Sequence, residues 1–539
     1  MTECPQQALF FPRVQGRDVV VKFDAGHISS DGGAILLGKV ERRFRIIEQF
    51  ADCFTDFRDS ERIDHSLIAL LKQRIFALCM GYEDLNDHEF LRDDGILAVL
   101  VGKPEVVGSG AVPQHPVMAP VVSNLTSEPE SSQAGEATGK KVRAKPASKQ
   151  RLAGKSTLNR LELTPVGASA KSRFKKITAN TREMQGMLVD LFIQQHDEPL
   201  REIVLDFDAT DDPIHGDQFG KFFHGYYGHY CYMPLYVFCG DHPLLALLRP
   251  SNIDAAAGAT KQLERIVARI RAAWPDVKII VRADSGFCRE KLMLWCEANK
   301  VDFILGLAKN KRLLKIIGGE LHQAKCVATD TGKAARVFKD FNYSTQKSWA
   351  RERRVIGKAE HLPQGPNPRF VVTSLTAEEC AAQELYEVRY CDRGNAENRI
   401  KEQQLFLFAD RTSCGTMRAN QIRLMLSTIA YAVLRALRAY GLKDTALQSA
   451  QADTIRSKLL KIGTQVEVTA RKVWLRMSES YPWQNLFAAV SAKLDALCAP
   501  VENLLAKTIE LLTSPSPAAI ATIATATAGS AGCESTSSG

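Results

Sequence analysis

The chain has 539 residues, 45% of them hydrophobic, and a formal charge of +9. That is longer than one ordinary domain and apolar enough to build real cores, which excludes a wholly disordered or fibrous protein. The 13 cysteines are scattered with no Cys-x-x-Cys pair, so a reducing compartment is expected and a disulfide scaffold or zinc site is not.

Residues 19–102 read as a compact opening region. A short strand, Val19-Val20-Val21-Lys22-Phe23, is followed by a turn at Ser30-Asp31-Gly32-Gly33. Leu67, Leu70, Leu71 and Ile75 then keep helical spacing, Gly81 stops that helix, and Asp84 caps the next. This helix-turn-helix cadence fits DNA-end binding, and also plain packing. Residues 104–150 are rich in Pro, Ser, Gly, Ala and Glu without periodicity and bury too little apolar surface to order themselves. They read as a solubilising linker, with the basic run Lys140-Lys141-Val142-Arg143 at their end. Gly154-Lys155-Ser156 looks like half a P-loop, but the first glycine of that pattern falls on Lys149 and no strand precedes it, so an NTPase is rejected.

From about residue 199 the pattern changes to strands. Ile203, Leu205 and Phe207 alternate with Val204, Asp206 and Asp208, a period of two that sets both carboxylates on one face. Buried acids are costly unless something neutralises them, and a divalent cation does so readily. Residues 222–240 are aromatic and β-rich, 244–248 give a third strand, and 260–274 form an amphipathic helix. Val277-Lys278-Ile279-Ile280-Val281-Arg282-Ala283-Asp284 is a second apolar strand that ends in an acid. A helix (291–299) and a strand (301–307) follow. Strands are also expected at Arg336-Val337-Phe338-Lys339 and at Phe370-Val371-Val372-Thr373. Tyr390, Arg393 and Glu397 share one face of a later helix, with Lys401 a turn further on. An acid on a strand, another at a strand end and a third on a later helix is the layout of a two-metal phosphoryl-transfer site on an RNase H-like sheet.

Past residue 410, residues 420–440 and 469–497 read as helical. The apolar run 424–442 is interrupted by Arg435 and Arg438, which favours a buried helix over a membrane span, and the first 13 residues lack a signal-peptide core. Residues 411–476 hold 12 Lys and Arg against 3 Asp and Glu, as large a surplus as the whole chain carries. Such a surplus is either a nucleic-acid footprint or a solvated helix face. The residues from 514 are Ala, Thr, Ser and Gly with one charge, and disorder is expected.

Four motifs carry a specific resemblance: Asp206-Phe207-Asp208-Ala209-Thr210-Asp211-Asp212-Pro213, His215-Gly216-Asp217-Gln218, Phe223-His224-Gly225-Tyr226-Tyr227, and Arg282-Ala283-Asp284-Ser285-Gly286-Phe287. The chain resembles the DDE transposases of bacterial insertion sequences, and within them the insertion-sequence 1380 family, from about residue 20 to 481 apart from the 104–150 tract. The resemblance implies cut-and-paste transposition, in which the enzyme binds terminal inverted repeats, cleaves with two Mg²⁺ or Mn²⁺ ions, and joins 3′-hydroxyls to target DNA as a homodimer in the bacterial cytoplasm, at the nucleoid. Asp208, Asp284 and Glu397 are the expected catalytic metal ligands, with Asp206 as the alternative first ligand. Tyr390, Arg393 and Lys401 are the expected DNA contacts. The Tyr-Arg-Glu spacing resembles the wider superfamily's signature, but where that signature has a Lys this chain has Gln404.

Asp211 and Asp212 read as a turn or cap. His215, His224 and His229 read as hairpin packing or DNA contacts, and the tyrosines of residues 226–236 as sheet filler with one or two able to stack on an unpaired base. The expected fold class is α/β. An N-terminal, mainly helical region (1–103) precedes the insertion (104–150) and a helical linker (151–198). An RNase H-like catalytic domain (199–410) follows, with the β-rich insertion at about 309–387 that the resemblance implies. A basic C-terminal helical region (411–512) and a tail (513–539) close the chain. A metal-dependent nuclease without strand transfer, or a DNA-binding protein with a decayed site, are the alternatives.

Overall fold

The computed structural model describes residues 9–22, 25–105 and 151–513. Nearly all of the low-complexity insertion and of the tail lies outside these residues.

The centre is a nine-stranded mixed sheet. Its first half is β1 (Glu202–Ala209), β2 (Leu235–Cys239), β3 (His242–Leu247), β4 (Lys278–Ala283) and β5 (Asp302–Leu307), laid out in the order β3-β2-β1-β4-β5. The first three strands form an antiparallel meander, and β4 and β5 run parallel to β1. Parallel neighbours need a crossover, and α2 (Ala259–Ala273), numbered after α1 (Leu67–Met80), and the helix Glu290–Ala298 supply the two crossovers. β1 can sit in the middle because both its faces are covered. Ile203, Leu205 and Phe207 pack with Val237, Ile279, Val281 and the helix residues Leu263, Ile266 and Ile270. Each large side chain buried there contributes roughly 1.5–3 kcal/mol. The opposite face, which carries Asp206 and Asp208, lies under α3 (Gly394–Leu407) and α4 (Met417–Ala436), whose Ile400 and Tyr431 share a core with Tyr236 and Phe238 of β2.

Residues 309–387 extend this same sheet. β6 (Ala335–Tyr343), β7 (Arg353–Leu362) and β8 (Arg369–Thr373) add to it in the order β5-β8-β7-β6, all antiparallel, and a two-residue strand, Gly365–Pro366, pairs with the end of β7. β7, the longest strand of the sheet, has no counterpart in the sequence reading. Its row of charges (Arg353, Arg354, Lys358, Glu360) hides the apolar period, yet Arg353 pairs with Glu290 and Glu297, and Lys358 pairs with Glu360 at 2.6 Å, so charged positions are buried.

The outer region departs from expectation in two places. Residues 469–483 are not helical. Thr464–Val468 and Val473–Met477 form a hairpin joined to Ile28–Ser29, and only α5 (Gln484–Thr513) is helix. The alternation of Val466 and Val468 with Gln465 and Glu467 was the overlooked strand signal. The basic surplus of residues 411–476 is also partly internal. Arg423 reaches Glu162, Arg435 pairs with Asp241, Arg438 pairs with Glu402, and Arg456 donates to the carbonyls of Cys79 and Phe406. The expected buried helix is present as α4, packed on α1, itself capped by Ser66 and ended by left-handed Gly81. No helix among the described residues is long and apolar enough to cross a membrane, and no disulfide joins one described cysteine to another.

Candidate active site

Strand pairing brings the sequence-distant acids to one end of the sheet. Asp208 is the penultimate residue of β1, and Asp284 follows directly on β4, the parallel neighbour of β1. Parallel strands end at the same edge, so the two carboxylates leave the sheet side by side. Residues 382–407 are one helical stretch whose turns widen over Leu385–Tyr390 and tighten over Cys391–Arg393 before α3 begins. That stretch carries Tyr390, Arg393 and Glu397 across the same edge.

Arg393 is the hub. Its Nη2 lies 2.5 Å from Glu397 Oε1 and its Nη1 lies 3.7 Å from Asp208 Oδ2. Asp284 and the Tyr390 phenol lie within its electrostatic reach. Burial pushes the Asp208 carboxyl up to about 7; Arg393 opposes this, while the charges of Asp284 and Glu397 add to it. The three acids therefore occupy one electrostatic cluster. Among the described residues they do not stand at metal-cage distances; the positive charge between them is the guanidinium. The donor set is nevertheless all carboxylate oxygen, the kind hard divalent cations take, and an acid lifted towards neutrality by burial and like charge is one that a cation would return to its ionised form.

Asp284 also caps the turn that follows it. Its Oδ1 accepts from the N–H of Gly286, and among the described residues Oδ2 has no hydrogen-bond partner. The cap thus uses one oxygen of Asp284 and leaves the other uncommitted. Asp206 is committed elsewhere: Arg282 of β4 grips it with two bonds, Nε to Oδ1 at 2.5 Å and Nη2 to Oδ2 at 2.8 Å, and both side chains are buried. Arg282 also donates to the carbonyl of Arg389 and to Asp392 Oδ2 at 3.0 Å, so it ties β1 and β4 to the chain that leads into Glu397. Sequence reasoning passed over Arg282; an arginine at an inward position of a central strand was the available signal.

Lys401 is exposed and stands outside the Arg393–Glu397 pair. Gln404 instead anchors α3, donating to Asp211 O at 3.1 Å and to Asp212 Oδ1 at 2.9 Å. Asp211 and Asp212 are neither turn nor helix cap. Asp212 is fully buried in a short strand paired with Tyr232, and its carboxyl is held well above the usual range by burial, while Asp211 accepts from His229 Nε2 at 2.7 Å. His215 lies at the surface and His224 packs on Tyr227.

A second residue missed in the sequence is Gly306 of β5. A methyl group there would come within 2.6 Å of Tyr390 Oη and 2.9 Å of the backbone nitrogen of Ser285. Gly306 lets β5 pass directly beneath the Asp284 turn and Tyr390. A cleft of about 560 Å³ opens at this point, lined by Asp284, Gly306, Lys309, Arg369, Tyr390 and Arg393. We expect Gly306→Ala to slow the reaction at this site by tenfold or more, because both the Tyr390 ring and the backbone of the acid-bearing turn must move, while global stability falls by only about 1–3 kcal/mol. Cleavage kinetics beside a thermal melt check this, and unchanged kinetics would show that the close approach does not position Asp284.

Two acids at one sheet edge, crossed by an arginine-bearing helix, mark this edge as the candidate site, and comparison with known families says what kind of protein carries it. The family model of the transposase DDE domain group 1 matches residues 11–137 and 122–499. The chain belongs to this family and is a DNA transposase. Among solved structures it is similar to a piggyBac transposase synaptic complex with hairpin DNA, at 10% identity, covering 80% of each chain, with a TM-score of 0.35. A search of curated proteins returns no match.

Proposed function

We propose that this protein catalyses cut-and-paste transposition of a bacterial insertion sequence of the 1380 type, cleaving at terminal inverted repeats and joining the 3′ ends to target DNA. The observation that carries this reading is the gathering of Asp208, Asp284 and Glu397 around Arg393 at one edge of the sheet. The strand order β3-β2-β1-β4-β5, with its antiparallel meander and two parallel crossovers, supports an RNase H-like core beneath it. Asp208, Asp284 and Glu397 would hold two Mg²⁺ or Mn²⁺ ions. Such ions, when bound, lower the pKa of the attacking water or hydroxyl and neutralise the leaving oxygen. The chain's own residues do the positioning. Arg393, from the middle of the acid cluster, and exposed Lys401 would steady backbone phosphates. Tyr390, packed over Gly306, would shape the floor for the DNA end. Double-stranded DNA is the substrate, and a homodimer would pair the two ends; the cytoplasm, at the nucleoid, is the proposed location.

The test is strand transfer with pre-cleaved inverted-repeat ends and Mg²⁺. Joined products are expected. Cleavage without joining would identify a nuclease on the same fold, and neither activity, with DNA binding intact, would identify a decayed enzyme.

A further inference from the structure

The ribbon that continues β1 and β2 past the sheet edge is unusually exposed in aromatic rings. After Ala209, which pairs with Leu235, the two strands go on as Asp212–Pro213 and His229–Tyr232, and Phe222–His224 joins as a third strand. The ribbon therefore grows out of the strand that carries Asp208, four residues beyond it, at about 3.3 Å per residue. Asp211–His229, Lys221–Asp217 and the bonds from Tyr232 Oη to Phe219 O and from Ser251 Oγ to Phe222 O hold it in place. Its rings nevertheless face solvent: Tyr226 at the tip is 86% exposed, and Phe223 is 57% exposed. They interlock. Tyr226 meets Tyr227 edge-on at 5.1 Å, Phe223 meets Tyr230 at 5.6 Å, and Lys221 Nζ stands 5.3 Å over the Tyr230 ring. Tyr227 lies within the field of both Asp211 and Asp208, so the ribbon borders the acid cluster.

Exposed rings gathered in one patch mark an interaction surface. The occupant has to suit planar faces, an adjacent cation and histidines, and a position beside the acid cluster. An aliphatic protein surface matches none of these. Unpaired nucleobases match all of them, because every base offers a π face and its phosphate accepts Lys221. We infer that the aromatic ribbon is a wedge that stacks on bases freed from the duplex next to the scissile phosphate, with Tyr226 and Phe223 as positioning residues. The inference rests on the proposed transposase reading of the site.

The experiment compares cleavage of fully paired inverted-repeat ends with cleavage of ends whose flanking base pairs are mismatched, using the full-length protein. Tyr226→Ala and Phe223→Ala are expected to cut paired ends at least tenfold more slowly than the unsubstituted chain and mismatched ends within twofold of it, and Tyr226→Phe is expected to behave as the unsubstituted chain. Permanganate oxidation of flanking thymines should fall in parallel in the alanine variants. Equal slowing on both substrates, or no slowing, overturns the wedge. A changed oligomeric state with no difference between substrates also overturns it, assigning the ribbon to a protein interface. If the unsubstituted chain cuts neither substrate, it is the proposed cleavage function of the site that fails.

Discussion

Asp208→Asn is expected to abolish DNA cleavage while making the metal-free protein more stable at pH 8. The loss of activity should be at least about a thousandfold, equivalent to roughly 4 kcal/mol of barrier, because one of three carboxylates leaves the site. The gain in stability follows from the position of the group. Burial first, then Asp284 and Glu397, raise its folded-state pKa from 3.8 to about 7. The folded protein then holds a proton that the unfolded chain has lost, so stability falls as pH rises from about 4 to about 7. At roughly 1.4 kcal/mol per unit the upper bound is about 4 kcal/mol, and partial solvation of the side chain makes a smaller figure the expected one. Melting curves should coincide near pH 4 and separate by a few degrees at pH 8, with the asparagine variant higher. Added Mg²⁺ should raise only the unsubstituted protein, and less so below pH 7, where protons compete for Asp208. Equal Mg²⁺ stabilisation of both proteins would remove Asp208 from the ligand set.

Arg282→Ala should be the most destabilising single change near the site, by about 3–5 kcal/mol, because it leaves the Asp206 carboxyl buried without its partner. The double variant Asp206→Leu with Arg282→Met should recover most of that loss, since an apolar pair of similar volume has no desolvation cost. Chemical denaturation of the unsubstituted chain, Arg282→Ala and the double variant measures this. A further variant, Asp206→Asn, separates the two candidate first ligands. Asp206→Asn should lower stability and keep the Mg²⁺ dependence of cleavage, whereas a loss of that dependence at unchanged stability would make Asp206 the ligand.

The acids were legible because their placement is local. Alternation announces β1 and puts Asp206 and Asp208 on one face, and an apolar run that stops at Asp284 announces a strand end. What joins them is not local. The choice between Asp206 and Asp208 turns on Arg282, 76 positions along the chain from Asp206. The role of Gly306 depends on β5 passing under a turn that precedes it by some twenty residues. β7 escaped because its buried charges are satisfied by partners, Arg353 by the helix Glu290–Ala298 and Lys358 by Glu360 of the same strand, which no apolar periodicity can announce. The second strand of the hairpin, Val473–Met477, falls inside the helix expected over 469–497 because it is short and is followed by a strong helix, α5.

The interlocking of the two ends of the chain has a consequence for biosynthesis. Ile28–Ser29 completes its ribbon with Thr464–Val468, Lys39 bonds Ser491 and Asp495, and α1 lies against α4. A ribosome making this protein releases the opening hundred residues long before their partners exist. Those residues must wait, with apolar helices uncovered, until translation has passed residue 495. Premature termination upstream of α4 would leave a fragment for chaperones and proteases to deal with, not a free-standing competitor for DNA.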